Sequence, residues 1–413
     1  MKTSKLLKGF CICLAFIFTG IWIFAFYAET KIPDRFNVST DNPLKLSVPL
    51  TIKYDTEKIK AASYSEHEND YYKCKAKVSL LNIVPLKESV VTVSKRKYVV
   101  PSGEVYGIKL YSDGVIIVKT DNVQTQNGSI NPGAKAGLST GDVIISINSK
   151  KVKSSADVSN SFLKSNGDSL KIIYMRKGTM RSARLVPVKS INDGKYKAGL
   201  WIRDSSAGIG TMTFYDAESG NFAALGHAIC DADTKGIINI SGGELMEAQV
   251  TGCYKGKQGH PGELCGVFEN TKAGDLYSNN SVGIYGRLDK INNERKRIAV
   301  AVGYEIREGS AKIISEVDES GPQYYDIEIV KINANSEDKE KNMIIKVTDK
   351  KLLSLTGGIV QGMSGSPIIQ GGKLVGAVTH VLVNDPTKGY AIFAETMLTM
   401  TKEISDKKLN KAS

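Results

Sequence analysis

The chain opens with an almost unbroken apolar run, GFCICLAFIFTGIWIFAFYA, at residues 9–28. Lys2, Lys5 and Lys8 precede it; Glu29 and Lys31 follow. Twenty such residues can cross hydrocarbon as one helix, and the basic flank puts residues 1–8 on the cytoplasmic side with the bulk of the chain across the membrane. The alternative is a cleaved leader. The run is long for one, and Phe26 stands where a small residue would precede cleavage at Ala28, so an uncleaved anchor is favoured. Residues 29–103 turn polar and lysine-rich, with strand-like pieces at Leu46–Tyr54, Ala76–Val84 and Val90–Val100; they predict a small β module or an extended spacer. Residues 104–188 place short apolar strands around one helical stretch, Ser155–Lys164. Residues 190–401 hold short strand candidates at turn-like intervals, among them Thr211–Phe214, Val282–Gly286, Ile327–Ile332 and Met343–Val347. Long helical periodicity is missing until Lys388–Thr401, and residues 402–413 form a polar tail. This patterning predicts a mainly β chain, with a sandwich or closed barrels in its second half.

Size and charge refine the picture only slightly. At 413 residues the chain has room for two or three domains. The net charge of +12 is spread thinly, with no basic helix or stacked-aromatic pattern, which argues against a nucleic-acid partner and suits either solubility or attraction to an anionic membrane surface. Cys11 and Cys13 lie in the apolar run; Cys74, Cys230, Cys253 and Cys265 are scattered beyond it. No CxxC, no metal-ligand spacing and no nucleotide-binding glycine loop occur, so neither metal nor cofactor is expected. A Cys253–Cys265 pairing and buried free thiols both remain open.

The segment 104–188 contains NPGAKAGLSTGDVIISINSKKV. Small residues at Ala134 and Ala136 let a short helix approach a sheet, and Gly141-Asp142 turns the chain into a buried strand. The order of elements resembles a PDZ domain of the bacterial protease type. Such domains bind peptides by adding a strand to a sheet edge. The resemblance implies that Tyr106, Gly107, Ile108 and Lys109 form the carboxylate-binding loop, with Ile108 lining the side-chain pocket. The competing reading is that this groove is empty or packs against the chain's own other domain.

The run Gly362-Met363-Ser364-Gly365-Ser366-Pro367 sits between apolar stretches. A serine flanked by small residues can present its hydroxyl on a tight turn where backbone N–H groups converge. A serine needs a base, and the chain has four histidines. His67 lies in the polar spacer and His260 in the loop QGHPGE. His380 ends the strand VGAVTH, where it and Thr379 can line a substrate cleft and support the site; an ordinary buried, hydrogen-bonded histidine is the competing and slightly favoured reading. His227 follows a strand in AALGHA, a context that holds a ring by packing.

ALGHAICDADT and TGGIVQGMSGSPIIQGGKLVGAVTHVLVNDPTKGYAIF, together with the anchor and the PDZ-like segment, resemble the stage IV sporulation protein B peptidases. The resemblance covers nearly all of the chain after the spacer. It implies a chymotrypsin-like β-barrel serine peptidase domain with an upstream PDZ domain and an N-terminal transmembrane helix. Members are exported across the forespore membrane into the space between it and the mother cell. They cut themselves, then a regulatory subunit of a membrane complex, which frees an intramembrane protease and leads to sigma-factor activation. By resemblance Ser364 is the nucleophile, His227 the general base, and the Gly362 and Ser364 N–H groups the oxyanion hole; Ser366 remains an alternative nucleophile. Asp349 is the acid implied, with Asp231 and Asp233 as alternatives and Asp275 more remote. Against the chymotrypsin-type GDSGGP, Met363 replaces the aspartate, so activation by an ion pair from that position is excluded. The rival reading is a non-catalytic, membrane-tethered PDZ scaffold with a protease-like β domain; an esterase or cell-wall hydrolase would use the same nucleophile.

Overall fold

The computed structural model describes residues 2–32, 35–41, 50–54, 71–334 and 336–412. The apolar run forms part of one helix, Lys2–Lys31. Among the described residues no helix is long and apolar enough to cross a membrane; the side chains of Gly9, Cys11 and Ala28 lie outside the described set. Beyond it, strands Arg35–Ser39, Leu50–Tyr54, Tyr71–Leu80 and Val84–Ser94 form a four-stranded sheet. The region expected as a module or spacer is thus, where described, a packed sheet. Its small core of Val38, Cys74, Ala76, Val91 and Val93 takes in Tyr304 from the following domain.

Two barrels follow. The second is closed by Gly309–Ser315, Gln323–Ile332, Met343–Val347, Lys388–Phe393, Lys373–Val381 and Pro367–Gln370. The helix expected from Lys388 begins only at Ala394 and runs to Ala412, through the expected tail. Residues 388–393 pair instead with strands on both sides, because their alternate side chains Ala391 and Phe393 face the barrel core. The first barrel is a ring of six strands. Val105–Thr120 pairs with Ile240–Tyr254, then come Glu263–Asn280, Gly283–Leu288, Asn221–Ala224 and Leu200–Tyr215, which pairs back to Val105–Thr120. Ile108, Leu110, Met212, Phe222, Leu245 and Ile284 fill it.

The PDZ-like segment is inserted into this first barrel. The long strands Val105–Thr120 and Leu200–Tyr215 run through both units: their barrel halves pair Tyr106 with Gly210, and their other halves pair Thr120 with Leu200. Val143–Ile147, Leu170–Arg176 and Thr179–Leu185 extend the sheet. Helix Ser155–Lys164, closed at its start by a capping box of Ser154 and Asp157, forms where expected, and its Val158 and Phe162 enter a core with Val115, Ile144 and Ile172.

This layout corrects the expected carboxylate-binding loop. Tyr106, Gly107, Ile108 and Lys109 are a barrel strand, with Glu247, Met246, Leu245 and Glu244 opposite them on one edge and Gly210, Ile209, Gly208 and Ala207 on the other. Both edges are filled, so no peptide strand can add there. Ile108 is 2 % exposed and belongs to the barrel core, a burial worth roughly 1.5–3 kcal/mol. The Cys253–Cys265 pairing is also corrected. Cys253 and Cys265 are both free thiols. Cys253 stands opposite Leu264 and Cys265 opposite Gly252, which turns the two thiols to opposite faces of the hairpin.

A buried ion network joins the N-terminal sheet to the second barrel. Arg96 donates to both carboxylate oxygens of Glu305 at 2.9 Å and to Asp41 at 2.6 Å, while Lys373 reaches Glu305 at 2.7 Å. Arg96 and Glu305 side chains are 7 % and 5 % exposed. Removing one member of such a pair strands the other's charge. Arg96→Ala is expected to cost roughly 3 kcal/mol, read as a lower denaturation midpoint with protease cleavage appearing first in the N-terminal sheet.

Candidate active site

The histidine turn begins where strand Asn221–Ala224 ends. Leu225 (φ 66) and Gly226 (φ 72) are both left-handed. For a buried leucine this conformation costs on the order of 1 kcal/mol, and it swings His227 off the sheet. A side chain at Gly226 would meet the Thr379 methyl at 2.9 Å and Ile392 at 2.8 Å. After His227, the side chain of Asn279 clamps the loop: its oxygen accepts from Ile229 N–H at 2.8 Å, and its amide donates to the carbonyls of Ile229 and Ile238 at 2.8 and 2.9 Å.

The serine turn follows helix Lys350–Thr356 and the left-handed Gly357. Met363 is fully buried among Ile313, Ile345 and Val378 of the second barrel. An apolar plug therefore anchors the turn at the position where a chymotrypsin-type chain has its aspartate. The N–H groups of Met363, Gly365 and Ser366 bond to Val360, Val378 and Met363 carbonyls. Among the described residues, those of Gly362 and Ser364 have no acceptor. Ser366 is fully buried with its hydroxyl on Ser315 at 3.0 Å, which removes it as an alternative nucleophile.

Both turns are fixed to one residue. Thr211 donates its N–H to the Ser364 carbonyl at 3.1 Å and its hydroxyl to the Gly362 carbonyl at 2.7 Å, and its own carbonyl accepts from Leu225 at 3.2 Å. Thr213 repeats the device with the Gly365 carbonyl at 2.8 Å. Any side chain at Gly365 would collide with the Thr211 carbonyl and come within 2.6 Å of Leu225 N.

The Ser364 hydroxyl donates to the Thr379 carbonyl at 2.7 Å, and the Thr379 hydroxyl donates to the Glu340 carbonyl at 2.7 Å. The next residue, His380, lays its ring against His227 with centroids 4.6 Å apart and planes tilted by 38°. Its Nε2 is 3.6 Å from the Glu340 carboxylate. His227 Nδ1 lies 2.8 Å from the Ala228 carbonyl, so Nδ1 carries the proton and Nε2 keeps its lone pair. Burial holds the His227 pKa below the usual value. Burial first, then the His227 ring, pushes His380 down to about 4. Burial raises the carboxyl of Glu340.

Ser364, His227, Thr379, His380, Gly362 and Ser364 N–H thus share one seam between the barrels. The expected acids do not join them. Asp349 is the N-cap of helix Lys350–Thr356: its carboxylate accepts from Leu352 N–H at 2.9 Å and Asp326 N–H at 3.3 Å. Asp231, 2 % exposed, accepts from Asp233 and Thr234 N–H groups and pairs with Arg203 at 3.0 Å; Asp233 pairs with the same arginine at 2.9 Å. Both hold the loop beyond His227, not its ring. Asp275 pairs with Lys272. His260 closes a tight turn with Lys257, and His67 lies outside the described residues. Sequence reasoning missed Thr211, Asn279 and Glu340 as site residues. The alternation in Thr211-Met212-Thr213-Phe214 was a usable signal for Thr211 and Thr213, since two threonines on one face of a buried strand need acceptors. Glu340 offered none.

Two six-stranded barrels with a serine and a histidine at their seam, and a PDZ unit inserted in the first, define a serine peptidase. A family model for the SpoIVB peptidase S55 domain matches residues 194–398, and one for the PDZ domain matches residues 93–186. Residues 194–398 thus match the SpoIVB peptidase S55 domain, and the chain is a SpoIVB-like, PDZ-containing serine peptidase. No curated protein matches it. Among solved structures, the PDZ domain of an SdrC-like protein from Listeria monocytogenes is similar at 24 % identity over 22 % of this chain and 87 % of that one, with a TM-score of 0.18. The HtrA-type protease AlgW, solved with a decapeptide, is similar at 14 % identity over 49 % of this chain and 55 % of that one, with a TM-score of 0.31. The AlgW structure with a tripeptide gives 14 %, 48 %, 56 % and 0.31.

The position of Asp349 makes a sharp prediction. Asparagine caps a helix about as well as aspartate, whereas alanine loses about 1 kcal/mol. Asp349→Asn should keep the melting temperature and peptidase activity, and Asp349→Ala should lower the melting temperature. Loss of activity in a normally stable Asp349→Asn protein would return Asp349 to the chemistry.

Proposed function

We propose that this chain is a membrane-tethered serine endopeptidase of sporulation signalling. It cleaves itself between the N-terminal helix and residue 104, then cuts a regulatory subunit of an intramembrane protease complex, which permits sigma-factor activation. The observation that carries the peptidase step is the attachment of the Ser364 and His227 turns to the same residue, Thr211. The sporulation setting and the substrate follow the family whose model matches residues 194–398. The helix Lys2–Lys31 supplies the tether in this reading, and the paired strands of the N-terminal sheet direct self-cleavage to segments outside them.

In the reaction Ser364 Oγ leaves the Thr379 carbonyl, passes its proton to His227 Nε2 and attacks the scissile carbonyl carbon. The carbonyl oxygen takes the electron pair and is held by the Gly362 and Ser364 N–H groups, each worth about 3 kcal/mol. His227 returns the proton to the departing amine as the C–N bond breaks, leaving an acyl-Ser364 ester. Water, deprotonated by His227, then hydrolyses the ester. The Ala228 carbonyl fixes the tautomer of His227, the task an aspartate performs in a triad. Burial keeps both rings neutral near pH 7, so the base is ready to accept. The strand Tyr106–Lys109, filled on both edges by the chain itself, supports the reading in which the PDZ-bearing unit serves its own peptidase domain.

One observation favours a non-catalytic scaffold: the Ser364 hydroxyl is bonded to the Thr379 carbonyl rather than to a histidine. A fluorophosphonate probe separates the readings. The wild-type chain should be labelled and Ser364→Ala should not, and mass spectrometry should find a new N-terminus before residue 104 that is lost in the variant. No labelling of freshly processed protein would establish the scaffold. For the pH dependence, a base whose folded pKa is depressed stays deprotonated to lower pH. The acid limb of kcat/KM is therefore expected below about pH 6.5. A limb above that value would show that another group limits the reaction.

A further inference from the structure

The N-terminal sheet carries a feature that catalysis does not use. The hairpin joining Tyr71–Leu80 to Val84–Ser94 has an apolar tip, Leu81-Asn82-Ile83-Val84-Pro85. Leu81, Ile83 and Val84 are 56 %, 80 % and 44 % exposed. The turn is tight, with Ile83 N–H on the Leu80 carbonyl at 3.0 Å. Leu81 (φ 51) and Asn82 (φ 60) are both left-handed. Asparagine, aspartate and glycine suit such a turn, and leucine does not. Leu81 is thus unfavourable for folding twice over, in its backbone and in its exposure, which marks the tip as selected for contact with something apolar.

The surroundings identify the partner. Strand Tyr71–Leu80 buries Cys74, Ala76, Val78 and Leu80 and turns Lys73, Lys75 and Lys77 outward. Lys75 and Lys77 share the one carboxylate of Glu88 at 3.5 Å, which leaves this pair net basic. On the other strand Lys87 donates to the carbonyl of Ile32 at 2.8 Å. That bond ties the end of the apolar helix Lys2–Lys31 to the hairpin within a few residues of its tip. An apolar tip, a lysine collar behind it and an adjacent apolar helix match the layers of an anionic bilayer: acyl chains, headgroups and a spanning or inserted segment. We propose that the Leu81–Pro85 tip inserts into the surface of an anionic lipid bilayer, with Lys75 and Lys77 at the headgroups. The peptidase domain is then held at a fixed height over the membrane by two points, the helix and the hairpin. This rests on the anchored reading of the helix.

The test uses the full-length chain in vesicles containing a clickable lipid. A benzophenone amino acid is placed in turn at Ile83, at Phe16 in the helix and at the exposed Tyr324 on the second barrel, with the circular dichroism spectrum and melting temperature as the check on folding. In phosphatidylglycerol-containing vesicles Ile83 should form lipid adducts as Phe16 does, and Tyr324 should not. Adducts at Ile83 should fall about fivefold for each of Lys75→Gln and Lys77→Gln, and should fall in phosphatidylcholine alone. Adducts at Phe16 with none at Ile83 would overturn the hairpin proposal and leave the anchor standing. Adducts at neither would overturn both. A protein adduct at Ile83 in native membranes, in place of lipid, would assign the tip to a protein partner and overturn the proposal as well.

Discussion

Everything at the seam between the barrels depends on the backbone and hydroxyl of Thr211. Its N–H, hydroxyl and carbonyl reach Ser364, Gly362 and Leu225 in turn, so one residue sets the distance between the serine turn and the histidine turn. Buried polar groups need partners, and Thr211, fully buried, finds all of its own in those two turns. The same bonds occupy the carbonyls of Gly362 and Ser364, whose N–H groups have no acceptor among the described residues. Met363 completes the anchoring from the other side, as an apolar plug in the second barrel.

The electrostatics of the seam are governed by burial rather than by ion pairing. Two histidine rings lie in contact; desolvation disfavours a proton on both, and the His227 ring adds to this at His380. Neutral rings follow, and the Nδ1 of His227 is held by a carbonyl rather than by a carboxylate. The same depression has a consequence for stability. The unfolded chain protonates His380 near pH 6.5 and the folded chain only near 4, so its contribution is present above pH 6.5 and is lost as the pH falls from there towards 4. Glu340 touches the network twice, through its carbonyl on Thr379 and its carboxylate beside His380.

The domains are less separable than their sequence boundaries suggest. Strands Val105–Thr120 and Leu200–Tyr215 each serve the PDZ unit and the first barrel, and Leu200–Tyr215 carries Thr211. The PDZ unit and the residue that spaces the serine and histidine turns thus share one continuous strand. The N-terminal sheet is joined to the second barrel just as firmly, by Arg96 and Glu305.

Local pattern alone was enough to reveal the apolar helix, the mainly β character, the capped helix Ser155–Lys164, the serine turn and the histidine that follows a strand. These are properties of short stretches, in which period, small residues and capping chemistry act over a few positions. The sequence could not say which strands close a ring, because pairing joins residues far apart: the same four letters, Tyr-Gly-Ile-Lys, suit a ligand loop or a barrel strand, and only the presence of partners on both edges decides. Nor could it choose among the carboxylates. Asp349, Asp231 and Asp233 have the right chemistry at plausible spacings, but each is satisfied by N–H groups or an arginine in its own neighbourhood. Composition determines which groups are available to do chemistry; the tertiary structure decides which are already engaged, because a hydrogen bond depends on ångström distances that no spacing along the chain encodes.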